Sequence, residues 1–286
     1  GVLGLFFVHK TLRRHFENPW AARLTIALLL LGTNLLHYMV RAPGMPHVYS
    51  FFLASLLIYL TPGIFEKPTW WRFFAAGGLL GWLVLIRPTN AVLAIFPLLY
   101  GFTSGKAVAE RLLFFKKHLP KILLAALPAF LIWLPQLMYW HYVTGDWIYY
   151  SYRKEGFNNW ANPPIHKVFF SPLNGWLLYN PAMLFALAGM PFLLKNNRHN
   201  GWAVLLIFAF STYLSASWWC WWFGGAFGQR NYVDLLPVLA FPMCFVFGKM
   251  LTAGRWLRAG GLAVVVLFCF FNLRLILIYE GKWSDM

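Results

Sequence analysis

Residues 261–279 read GLAVVVLFCFFNLRLILIY, a stretch with one charge, Arg274, and one amide, Asn272. An α-helix rises about 1.5 Å per residue, so this run alone covers about 28 Å, close to the roughly 30 Å of a bilayer's hydrocarbon core. A run of this length without a polar face predicts a membrane-spanning helix. The rest of the chain is built alike: of 286 residues 60% are hydrophobic, 20% aromatic and 11% charged, and mean hydropathy is +0.59. Soluble domains are about half apolar and a quarter charged, so this composition excludes a soluble globular protein, as well as a disordered chain, a collagen and a coiled coil.

Working outward from 261–279, apolar runs between charged or Pro/Gly breaks give nine full spans: 24–40, 48–64, 71–86, 90–103, 122–143, 172–194, 201–217, 232–250 and 261–279. Residues 1–8, GVLGLFFV, read as the tail of a tenth. The expected fold is an all-α polytopic membrane protein, with one transmembrane domain over residues 1–286. The first residue is Gly inside an apolar run, which reads as a chain without its original N-terminus, and Trp283-Ser284-Asp285-Met286 reads as a second cut. The three cysteines, Cys220, Cys244 and Cys269, have neither a disulfide-framework pattern nor metal-ligand spacing.

Charge sets the expected orientation, because cytoplasmic loops collect Lys and Arg. Alternate loops hold 16 of the 24 basic residues, among them Lys10, Arg13, Arg14, Lys106, Arg111, Lys116, Lys117, Lys121, Arg198 and Arg258. The opposite face keeps eight, including Arg41, Arg87, Arg153, Arg230, Arg274 and Lys282, and five of the eight acids. The formal charge of +16 is therefore mostly topology, and nucleic acid is not an expected partner. A stripe of Val108, Leu112, Phe115 and Leu119 beside Lys116 and Lys117 predicts a helix lying on the inner surface.

The two long loops of the other face are 144–171 and 218–231, both rich in Trp, Tyr, Asn and Gly. An aromatic belt at the headgroups accounts for isolated Trp residues. It accounts less well for Trp218, Trp219, Trp221 and Trp222 followed at once by Gly224, Gly225, Gly228, Gln229 and Arg230. Glycine lets backbone approach a ligand, and aromatic rings offer apolar faces with polar rims. A carbohydrate needs both, so the functional surface is expected outside.

Several residues there carry possible chemistry. Arg87-Pro88-Thr89-Asn90 joins two short runs, so this turn is expected below the membrane surface, lining a cavity. Arg87 either meets an anionic ligand or reaches the headgroups. Arg230 either grips phosphate oxygens bidentately or pairs with Asp234 four residues on. Arg274 sits about one turn from the outer end of its span, snorkelling or facing the same cavity. Asp146 and Glu155 are loop acids that either serve as a general base or are simply solvated beside Arg153 and Lys154, and Asp234 is a third acid of this kind. His47, just before Tyr49, is a belt residue or a hydroxyl ligand. Gly77 and Gly81 form a small-residue face suited to helix packing. Phosphate-binding Gly-Lys-Ser/Thr loops, dinucleotide fingerprints and zinc motifs are not found in the sequence.

Four stretches occur in order: Leu85-Ile86-Arg87-Pro88-Thr89-Asn90; Ser151-Tyr152 with Glu155-Gly156-Phe157; Phe170-Ser171-Pro172-Leu173-Asn174-Gly175; and Gly225-Ala226-Phe227-Gly228-Gln229-Arg230 before Leu236-Pro237. With Pro46-His47-Val48-Tyr49-Ser50-Phe51-Phe52, the set resembles the GT-C membrane glycosyltransferases, in particular bacterial proteins of the protein O-mannosyltransferase and aminoarabinose-transferase group. The resemblance implies a bacterial inner-membrane enzyme that transfers a sugar from a polyprenyl-phosphate donor to a glycan, lipid or protein acceptor at the periplasmic or extracellular face. It implies that Arg230, Arg87 and Arg274 hold the donor phosphate. His47, Tyr49, Asn90, Trp218, Trp222, Gly228 and Gln229 are then expected to contact substrate, with no protein metal site assigned and a divalent metal open as a further component. It also implies a catalytic carboxylate in the first outer loop, but the first outer loop present, Arg41–His47, has no acid. The expected base therefore lies outside this chain, with Asp146, Glu155 and Asp234 as weaker substitutes. The rival expectation is a transporter or flippase of a lipid-linked or polyanionic glycan. A non-catalytic membrane scaffold is the third.

Overall fold

The computed structural model describes residues 1–195 and 200–279. Arg198, Glu280, Lys282 and 283–286, which entered the charge and chain-end readings, lie outside the described residues. Every regular element among the described residues is helical. Four helices are long and apolar enough to cross a membrane: His47–Glu66, Leu119–Thr144, Arg230–Thr252 and Arg255–Ile278. Nine full spans were expected, and that number is corrected to four.

The other five apolar runs do form helices, but shorter ones: Pro19–Leu31, Trp70–Ile86, Pro88–Leu99, Pro181–Lys195 and Gly201–Ser217. The longest of them have 17 residues, or about 26 Å at 1.5 Å per residue. Hydropathy measures how apolar a run is and does not register where polar side chains interrupt its helix. The run 24–40 breaks at Gly32–Asn34, with a short helix Leu35–Val40 beyond. There Thr33 Oγ1 donates to Leu29 O at 2.6 Å, and the Asn34 amide donates to Asn180 Oδ1 at 2.6 Å. The run 172–194 breaks at the same partner. Helix Trp176–Tyr179 ends at Asn180, whose φ of −132° and ψ of 63° leave the helical region, and Pro181 starts a 3-10 turn into the helix Leu184–Lys195. The two interrupted helices thus meet inside the bundle, where each broken backbone finds protein partners in place of water.

Leu236–Thr252 is the central helix, with eleven of its residues buried. It packs against Pro19–Leu31, Leu184–Lys195, Val2–His15, Gly201–Ser217 and His47–Glu66. Leu119–Thr144 is peripheral: within its most apolar window 6% is buried. It leans on Trp70–Ile86 through two glycines. A Cβ on Gly77 would overlap the Ala125 carbonyl, and one on Gly81 would stand 2.7 Å from Ala129 Cα. Backbone does not yield as a flexible side chain does, so Gly77→Val is expected to destabilise this helix pair by about 1–3 kcal/mol or more, as overpacking does. The check is the thermal midpoint in detergent compared with Gly78→Ala, whose nearest neighbours lie at an ordinary 3.7 Å.

The basic helix Gly105–Lys117 has no buried residue. Leu112 and Leu113 point outward, 60% and 66% exposed. The side that meets the bundle is Arg111 over the Phe65 ring at 3.6 Å and Phe114 against Phe65 and His118. The stripe expected from sequence therefore splits, with Phe115 turned toward Phe65 and Leu112 and Leu119 outward.

Candidate functional site

The start of His47–Glu66, the turn after Trp70–Ile86 and the 3-10 turn Arg230–Leu235 come together at one point of the bundle. Asp234 is at the centre, 1% exposed, and is the one buried acid among the described residues. Its Oδ2 accepts from Arg87 Nη1 at 2.8 Å, and its Oδ1 lies 3.0 Å from His47 Nδ1. Arg87 reaches it because the helix ends there: Leu83 O accepts the Arg87 amide, and Arg87 then turns extended at φ −152° so that Pro88 can open a new 3-10 turn. A buried carboxylate needs such partners, since an isolated charge in a low-dielectric interior is costly.

The expected pair between Arg230 and Asp234 does not form. Residues four apart share a face in an α-helix but not in a 3-10 helix, which has three residues per turn, and Arg230–Leu235 is 3-10. Arg230 instead lies near the Phe223 ring, 5.8 Å from its centroid, with Tyr38, Tyr152, Cys220 and Arg87 as its electrostatic neighbours. Two guanidiniums therefore share the neighbourhood of one carboxylate, and that carboxylate is committed to Arg87. Positive charge is left in excess at Arg230.

The glycine-rich loop is held from three directions. Tyr38 donates its hydroxyl to Phe227 O at 3.2 Å and accepts from Phe227 N at 3.0 Å. Asn34 Nδ2 donates to Phe227 O at 3.2 Å. Asn174 Nδ2 donates to Trp222 O at 2.9 Å and Gly224 O at 2.8 Å. The loop 144–171 closes over it, with the Trp219 amide on Gly156 O at 2.9 Å and the Asn159 amide on Ser217 O at 3.0 Å. Trp218 is wedged between Tyr152 and Phe157 at ring distances of 5.3 and 5.2 Å. The two aromatic loops thus form one cover beside Arg230.

Several expected ligand contacts have partners in the protein itself. Gly228 has φ +67°, and a Cβ there would meet Tyr179 Cβ at 2.9 Å, so this close approach is to the chain's own residues. Gln229 is fully buried and donates to Trp221 O. Asn90 is buried and donates to Ser50 Oγ at 3.0 Å. Trp222 is half-buried, edge-on to Trp221 and Trp219. Tyr49 is 55% exposed, turned away from its neighbour His47, which is 3% exposed.

Arg274 is exposed and makes no ion pair among the described residues. Asp146 is exposed in its loop. Glu155 is exposed too, although it lies near Cys220 at the edge of the cover. Among the described residues no group of three His, Cys, Asp or Glu side chains is placed to hold a metal ion. Sequence reasoning missed Tyr38, Asn34, Asn180 and Asn174. The available signal was an amide beside Gly or Pro inside an apolar run, as in Gly32-Thr33-Asn34 and Asn180-Pro181. Comparison with known protein families, with curated protein sequences and with solved structures gives no match for this chain.

Proposed function

We propose that this chain is a multi-pass membrane glycosyltransferase of the bacterial inner membrane, with loops 144–171 and 218–231 on the periplasmic or extracellular side. It takes a sugar from a polyprenyl-phosphate donor and delivers it to a glycan, lipid or protein acceptor. The observation that carries this reading is the unmatched Arg230 beside the ion-paired Arg87, beneath a cover of aromatic residues. A phosphate is the group that balances such a charge, and developing negative charge on a leaving phosphate is stabilised by fixed donors. The aromatic cover supplies flat apolar faces for a sugar or for the first prenyl unit. The test is transfer from a polyprenyl-phosphate sugar by the intact gene product in proteoliposomes. Absence of transfer with that donor class overturns the reading.

A transporter or flippase of a lipid-linked glycan is the second reading. It is favoured by the buried titratable group Asp234–His47–Arg87, since ionisable residues inside a bundle often mark transport paths. Movement of labelled lipid-linked glycan across the vesicle without sugar transfer would select it.

Orientation gives a separate prediction. With the three native cysteines replaced, a cysteine placed at Asn158 should react with an impermeant maleimide in intact cells with a permeabilised outer envelope, and one at Lys106 should not. The reverse pattern would put the aromatic cover on the cytoplasmic side and remove the outer-face reading.

A further inference from the structure

We infer that His47 is the proton acceptor of the transfer step, positioned by Asp234; the inference rests on the glycosyl-transfer reading above. Its ground is the tautomer that the geometry requires. His47 Nδ1 lies 3.0 Å from a carboxylate oxygen of Asp234 and 3.3 Å from Arg87 Nη1. A carboxylate only accepts and a guanidinium only donates. If Nδ1 carried a lone pair, Asp234 Oδ1 would face it at 3.0 Å with no proton between two acceptors. Nδ1 therefore carries the hydrogen and donates to Asp234, and Arg87 Nη1 donates one of its two hydrogens to Asp234 Oδ2 at 2.8 Å.

That arrangement leaves the Nε2 lone pair as the free basic site of the ring. Among the described residues Nε2 has no hydrogen-bond partner, and it is not among the enclosed unpartnered atoms, which do include His37 Nδ1. The lone pair is thus not committed to any described residue of the chain. The charged and titratable groups that face His47 come from three elements: Asp234 and Arg230 from the 3-10 turn, Arg87 from the turn after Trp70–Ile86, and Tyr38, whose ring is 5.7 Å away, from Leu35–Val40. One carboxylate, one uncommitted imidazole nitrogen and one unmatched guanidinium in a single cluster are the parts that a proton-coupled displacement at a phosphate-activated carbon needs.

The step balances as follows. The acceptor hydroxyl oxygen forms a bond to the anomeric carbon, and the bond from that carbon to the phosphate oxygen breaks. The phosphate leaves with the electron pair, its charge facing Arg230. The hydroxyl proton passes to Nε2, and the imidazolium so formed is stabilised by Asp234, which stays ionised. The proton is then released to water. Nothing is oxidised or reduced.

The experiment compares the intact protein with His47→Gln and Asp234→Asn in the same proteoliposomes, measuring kcat, the KM for donor and direct binding of the polyprenyl-phosphate sugar. His47→Gln should lower kcat by about 10²–10⁴-fold, the usual worth of a positioned acid or base, with donor binding unchanged. Its kcat should also lose the fall toward low pH that the intact protein shows as imidazole becomes protonated. Asp234→Asn should keep donor binding, lose less kcat and displace that fall along the pH axis. Retained donor binding shows that a variant is folded. If His47→Gln loses donor binding, His47→Asn, which retains a side-chain amide for Asp234, is measured in its place against the same criteria. Near-normal kcat in a folded His47 variant overturns the base assignment and leaves glycosyl transfer standing. An intact protein that binds donor but transfers nothing overturns both.

Discussion

Asp234→Ala is expected to be among the most destabilising single substitutions in the chain, by about 3–5 kcal/mol, the range for breaking a buried ion pair by removing one partner. The reason lies in what remains. Asp234 is 1% exposed and accepts from both Arg87 and His47, so its removal leaves a part-buried guanidinium without its carboxylate. The measurement is the midpoint of SDS-induced or thermal unfolding in mixed micelles. The double variant Arg87→Leu with Asp234→Leu should recover part of the loss, because replacing both charges with apolar groups removes the uncompensated one. A midpoint for Asp234→Ala equal to that of the wild type would mean that water already reaches and solvates this pair, and the buried-trio description would fail.

Arg230→Ala is expected to leave stability almost unchanged and to lower transfer by about 10²–10³-fold, the effect of deleting one donor to a developing anion. The asymmetry with Asp234 follows from pairing. Arg230 has no carboxylate partner among the described residues, and the Phe223 ring is 5.8 Å from its guanidinium, at the outer limit for a cation over a ring. Little folding energy is lost with it. Arg230→Lys should restore part of the rate, since a lysine keeps the charge but not the two-pronged donor geometry. Transfer assays paired with unfolding midpoints decide the matter: near-normal turnover in Arg230→Ala removes Arg230 from the transfer step. The opposite result, loss of both activity and folding, would show it to be a structural residue.

The helical content was legible because apolar runs are local: each of the nine runs is a helix or a short series of helix pieces, and all of 261–279 but Tyr279 falls within Arg255–Ile278. Their lengths were not legible, because the residues that interrupt them act through distant partners. Asn34 breaks its helix against Asn180, 146 positions away. The candidate site divides the same way. His47, Arg87, Arg230 and Asp234 could be named from residue type and expected side of the membrane, but Asp234 joins partners 147 and 187 positions off. Its apparent partner in sequence, Arg230, was excluded by one local fact, the choice of 3-10 over α geometry at 230–235. Gly228 and Gln229 misled for the complementary reason: composition marks a tight turn without saying whether a ligand or the chain itself occupies the space beside it.

The stitched helix breaks also set an order of events during synthesis. Asn34 N waits for Asn180, and Asn34 Nδ2 and the Tyr38 hydroxyl wait for Phe227, which emerges about 190 residues later. At the 5–20 residues per second typical of translation, the segment around residues 32–38 stays without its final partners for roughly 10–40 s. During that interval its open amides have to be served by water, by headgroups or by whatever protein escorts nascent helices into the bilayer. A chain arrested before Phe227 would hold those groups unanswered indefinitely, and it should be a preferred substrate for membrane quality-control proteases, whereas a chain arrested after Thr252 should not.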